Sequence, residues 1–98
     1  MFKEPSDEEV KAIILGKLRN RGCWGARYMP FDTLVRWLSG KIKRNGKGVQ
    51  RAMRQLVNDG FILLHKRGGT VSLNSAKSGE IIEFIKTKSP TFGNFMYH

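Results

Sequence analysis

The chain has 98 residues, enough for one domain with one modest core. Hydrophobic residues make up 40% and charged residues 27%, which reads as soluble and globular, and no apolar run reaches the ~18 residues of a membrane span. The formal net charge of +10 points to a polyanionic partner, nucleic acid first and an acidic membrane surface second.

That charge is unevenly spread. Residues 1–40 carry seven basic and five acidic side chains, and residues 68–98 carry three and two. Residues 41–67 carry eight basic side chains against the single acid Asp59. The amino-terminal "MFKEPSDEEV" has no basic-then-apolar pattern, so no export signal is expected and a cytoplasmic location follows, nucleoid-associated in a prokaryote. The lone cysteine, Cys23, allows no intramolecular disulfide, which agrees with a reducing interior.

In chain order, the first helix is announced by Ser6 and Glu9, an S-x-x-E capping box with Pro5 blocking backward extension. Asp7, Glu8 and Glu9 suit the positive end of the helix dipole. Val10, Ala12, Ile13, Ile14 and Leu18 form its apolar stripe, and Gly22 is its expected stop. The stretch "GCWGARYMP" reads as a loop from its two glycines and proline. Trp24 and Tyr28 are large for a loop, so at least one is expected to fold back on the core, with Cys23 half-buried beside them. A second helix is expected from about Phe31 to Ser39, with Asp32 as a plausible N-cap, Leu34, Val35 and Leu38 inward, Trp37 on the flank and Gly40 as the stop.

The turn "KIKRNG" leads to a third helix, with Asn45 as N-cap, running over about 46–59 and ended by Gly60. At about 100° per residue, Val49, Ala52, Met53, Leu56 and Val57 fall on one side. Lys47, Gln50, Arg51, Arg54, Gln55 and Asn58 fall on the other, and no acid interrupts them before Asp59. A cationic helix face often marks only solvent; the missing acids weigh against that here. After Gly60 the period changes: "FILLH" and "TVSLN" are strand-like, and "KRGG" between them predicts a hairpin over about 61–74 with Lys66 and Arg67 at its tip. "SAKSGEIIEFIK" predicts a fourth helix with Ile81, Ile82, Phe84 and Ile85 as its apolar set, and "TKSPTFGNFMYH" has no periodicity.

Helix, helix, helix, hairpin, helix, joined by "LVNDGFILLHKRGGTVSLN", resembles the winged helix-turn-helix superfamily of DNA-binding domains. "RGCWGARYMPFDTLV" together with "VSLN…EIIEF" is similar to small archaeal winged-helix proteins. The resemblance implies an α+β, mainly helical fold, a winged helix domain over 1–87 and a tail over 88–98. It implies that the third helix enters the major groove and the wing lies along the backbone or minor groove, as in a transcription regulator. Carried over by position, the groove residues are Lys47, Gln50, Arg51, Arg54, Gln55 and Asn58, and the wing contacts are Lys66 and Arg67. Lys41, Lys43 and Arg44 add diffuse attraction to phosphates, and Lys47 between Gly46 and Gly48 suits a phosphate at a helix N-terminus. Arg pairs with guanine and Gln or Asn with adenine, so this face carries the chemistry of direct readout.

The chemistry of a catalyst is thin. No His neighbours Cys23 or a serine, and no carboxylate pair is evidently poised, so no enzyme activity is expected. Cys23, His65 and His98 lack zinc spacing, so neither metal nor cofactor is expected. RNA binding and a protein–protein module are the alternatives to duplex DNA, and a homodimer through the last helix and Phe92, Phe95, Met96 and Tyr97 is possible.

Overall fold

A computed structural model describes residues 6–41 and 46–88, with the side chains at 39–41, 46 and 47 excepted. It is an α+β fold, mostly helical, with a small antiparallel sheet. The elements are α1 (Asp7–Asn20), β1 (Met29–Pro30), α2 (Phe31–Lys41), α3 (Gly46–Asn58), β2 (Ile62–His65), β3 (Thr70–Leu73) and α4 (Ser78–Lys88).

The first helix begins as expected. Glu9 N donates to Ser6 Oγ at 3.2 Å, and Ser6 N donates to Glu9 Oε1 at 2.9 Å, so two otherwise unpaired amides are satisfied. Its interior departs from a simple stripe. Lys11, Leu15 and Gly16 are buried along with Val10, Ala12, Ile13, Ile14 and Leu18. A helix apolar nearly all round belongs inside, and α1 packs against α3, α4 and β3. Lys11 lies along this surface with its ammonium 3.6 Å from Glu8 at the edge.

Two helices end in the same way. At the end of α1, Gly22 takes φ +68, its amide donates to Arg19 O at 3.0 Å, and Cys23 N donates to Leu18 O at 3.0 Å. At the end of α3, Gly60 takes φ +81, its amide donates to Val57 O at 3.0 Å, and Phe61 N donates to Leu56 O at 3.0 Å. Glycine enters this left-handed conformation without a Cβ clash and captures carbonyls the helix leaves unpaired. Gly40 does not stop α2, which continues to Lys41. A glycine inside a helix costs only about 1 kcal/mol, so by itself it does not force a stop. The connection from α2 to α3, including the proposed cap Asn45, lies outside the described residues.

The stretch expected as a plain loop supplies a strand. Met29 pairs with Val71 and Pro30 with Thr70, giving a three-stranded sheet ordered β1-β3-β2. A proline is tolerated there because β1 is an edge strand. Trp24 forms an isolated parallel bridge to Leu73, with Leu73 N donating to Cys23 O at 2.7 Å and Gly25 N to Leu73 O at 2.9 Å. These bonds draw Cys23 inside, where it is 6% exposed rather than half-buried. Trp24 packs on the core while Tyr28 stays 41% exposed, so one of the two aromatics folds back. Leu34 and Leu38 of α2 are fully buried, Val35 and Trp37 half-buried. Lys17 Nζ sits 4.3 Å from the Trp37 ring centroid.

The hairpin pairs Ile62 with Leu73 and His65 with Thr70, as read. The last helix is shorter than expected: residues 75–77 form a 3₁₀ turn, and the α-helix starts at Ser78. Asn74 accounts for the difference. Its Oδ1 accepts from Ala76 N at 3.0 Å and its Nδ2 donates to Gly60 O at 2.8 Å, while Asn74 N donates to Phe61 O at 2.9 Å. One residue thus caps the turn and ties the base of the hairpin. Ile81 and Ile85 are buried, and Ile82 and Phe84 are half-buried, with Phe84 edge-on to Phe61 at 6.1 Å. Asn74→Ala removes both side-chain bonds and is expected to cost about 1–3 kcal/mol. Urea unfolding checks this: the midpoint should fall with the slope unchanged.

Candidate nucleic-acid interface

The third helix separates its faces as its sequence predicts. Val49, Ala52, Met53 and Leu56 are buried and Val57 is half-buried. Gln50, Arg51, Arg54 and Asn58 are exposed, and Gln55 is partly so. The side chains of Lys41 and Lys47, and residues Lys43 and Arg44 entirely, lie outside the described residues. Gly48, which follows Lys47, is buried.

The two arginines differ in a way the sequence did not disclose. Arg51 Nη2 lies 3.4 Å from Asp7 Oδ1, in the acidic first turn of α1. Both side chains are about half exposed, so the pair is worth little in stability but holds the guanidinium to one side. Arg54 has no ion-pair or hydrogen-bond partner among the described residues. The apparent lack of acids along α3 is therefore true of the helix but not of its surroundings.

The hairpin tip presents Lys66 and Arg67 to solvent, as expected. Gly68 N donates to His65 O at 3.0 Å and Gly69 N to Lys66 O at 3.1 Å. Lys66 and Arg67 have φ of +51 and +58, a left-handed conformation that side chains with a Cβ adopt at a cost of roughly 1–2 kcal/mol each. Phe31 N donates to Gly69 O at 2.9 Å, so the tip is tethered to the start of α2.

On the outward face of the sheet, sequence reading missed a cluster. Tyr28 stacks on His65 at 5.0 Å between ring centroids, Lys66 Nζ lies 5.3 Å from the Tyr28 ring, and His65 Nε2 shares a 2.9 Å hydrogen bond with the buried Ser72 Oγ. The signal was the alternation "FILLH", which sets Leu63 and His65 on one face; the arrival of Tyr28 needed the unrecognised strand β1.

Cys23 is a buried free thiol with no hydrogen bond to a histidine or carboxylate among the described residues. Burial pushes its thiol above the ordinary 9.0, against the opposing pull of Arg21 and Arg27. Its Sγ lies 3.9 Å from Arg21 O. No group of three His, Cys, Asp or Glu side chains is placed to hold a metal among the described residues. None of the described helices is long and apolar enough to cross a membrane. Comparison with family models, curated proteins and solved structures gives no match.

Two predictions follow from these geometries. Arg67→Gly relieves left-handed strain and is expected to stabilise the fold by about 0.5–1 kcal/mol, raising the melting midpoint by a few degrees. For Cys23 the native thiol holds its proton more tightly than the unfolded one. Its contribution to stability is complete below 9.0 and is lost as pH rises through the higher native value. The stability difference between wild type and Cys23→Ala, followed by urea unfolding from pH 7 upwards, should therefore narrow above 9.0.

Proposed function

We propose that this chain is a winged helix-turn-helix domain that binds double-stranded DNA, as a transcription regulator acting in the cytoplasm. The observation that carries the reading is the division of α3 into a buried apolar face and an exposed face of Gln50, Arg51, Arg54, Gln55 and Asn58. An α-helix fits the major groove of B-form DNA, and this face offers donors for guanine and both donors and acceptors for adenine. Arg54, which has no partner among the described residues, is the principal reader; Arg51 reads or contacts phosphate from its position beside Asp7.

The element order supports the same class. A strand after the first helix, two helices, then a two-stranded hairpin whose second strand is central make the sheet of a winged domain. In that reading the hairpin is the wing, and Lys66 and Arg67 contact the sugar–phosphate backbone. Lys41, Lys43, Arg44 and Lys47 supply further charge. Phosphate contacts position the domain, and the α3 side chains specify sequence. A symmetric dimer through α4 would set two half-sites about one helical turn apart.

The test is a titration of labelled random-sequence duplex by anisotropy across a salt series. Wild type should show a steep log–log slope, on the order of four phosphates neutralised or more, and Arg51→Ala with Arg54→Ala should weaken binding at every salt concentration. An unchanged double variant would remove α3 from the interface. Duplex RNA and single-stranded RNA at matched salt are the comparison; tighter binding to either would replace DNA with RNA as the partner.

A further inference from the structure

Beside α3, towards β2 and the start of α2, lies a groove of about 250 Å³ lined by Phe31, Gln50, Met53, Arg54, Val57 and Leu64. Four of the six are apolar. Leu64 is 45% exposed, although Ile62, two residues back on the same strand face, is 1% exposed. Phe31 and Val57 are half-buried against the core, and Met53 closes the floor at 2% exposure. Apolar surface is thus left open between α3, β2 and the start of α2.

The rim gives the chemistry of the occupant. Arg54 is exposed, and neither its guanidinium nor the Gln50 amide has a partner among the described residues. No acid lines the groove. The same helix shows the contrast, since Arg51 is balanced by Asp7. An apolar floor with one uncompensated guanidinium and one amide at its edge complements a molecule with an apolar body and a single anionic end. The guanidinium fork matches a carboxylate, with two parallel N–H donors. The volume admits a single ring or a short alkyl chain, not a larger cofactor.

We propose that this groove binds a small amphipathic carboxylate, with the chain against Phe31, Met53, Val57 and Leu64 and the carboxylate on Arg54 and Gln50. Because Gln50 and Arg54 also belong to the DNA face, ligand and duplex exclude each other; this second part rests on the DNA-binding reading, and the first does not. The domain would then release DNA in response to a carboxylate.

Sodium octanoate is the probe, added to the full chain while the Met53 and Leu64 methyl resonances are followed by NMR. Saturable shifts of both are expected, with a dissociation constant of about millimolar order for a ligand of this size. Arg54→Gln and the uncharged analogue 1-octanol should each weaken binding by about fivefold or more, the scale of one charge-assisted pair. No saturable shift, equal binding of 1-octanol, or unchanged binding by Arg54→Gln overturns the site. Duplex anisotropy with saturating octanoate, ionic strength matched with sodium chloride, then tests exclusion. Unchanged duplex affinity overturns exclusion while the methyl shifts still support the site. Absence of duplex binding at every octanoate concentration overturns the DNA reading, and exclusion with it.

Discussion

The burial of α1 on nearly all sides is the constraint from which the other placements follow. Eight of the nine residues from Val10 to Leu18 are buried, and they are covered by α3, α4 and β3. A helix covered in this way cannot contribute a polar surface, so its neighbours must each turn one apolar face inward and leave the other to water. For α3 the outward face is the cationic one. The outward placement of Gln50, Arg51 and Arg54 is thus a consequence of hydrophobic packing beneath them, with the Arg51 guanidinium further drawn to one side by Asp7.

The glycine exits convert that helical layer into a sheet. Gly22 and Gly60 each bend the chain at the end of a helix, and in each case the next residue returns its amide to the helix it has just left. Cys23 and Phe61 are then fixed in position, Cys23 against Leu73 and Phe61 against Asn74. The strand β3 is held between these two returns. The hairpin tip consequently has a fixed base, which lets two cationic residues sit in a left-handed turn that would be poorly populated in a free peptide.

Legibility in the sequence follows how local each determinant is. The capping box at Ser6, the helical period of α3 and the strand–turn–strand pattern around "KRGG" are encoded within a few neighbouring residues, and all three elements form where the pattern places them. The strand β1 was not legible, because two residues carry no period and Pro30 argues against a strand; its pairing depends on Val71 and Thr70, forty positions on. The end of α2 lies past Gly40, at Lys41, because a glycine permits a helix stop without requiring one. The Arg51–Asp7 pair joins residues 44 apart in sequence, so no reading of α3 alone could find it.

That pair also changes what the charge of the middle segment means. A count over residues 41–67 treats every cation as equal, yet the fold discriminates between two arginines three positions apart. Their side chains project about 60° apart around the helix, yet Arg51 meets the acidic first turn of α1 while Arg54 lines the groove towards the hairpin and α2, whose lining holds no acid among the described residues. Arg54 thus lies unpaired among the described residues on the side of α3 that adjoins the hairpin, next to exposed Leu64. An anion approaching this flank meets the Arg54 guanidinium where apolar surface is also open. Electrostatics and hydrophobic exposure select the same flank, and a single side chain, Arg54, belongs to both.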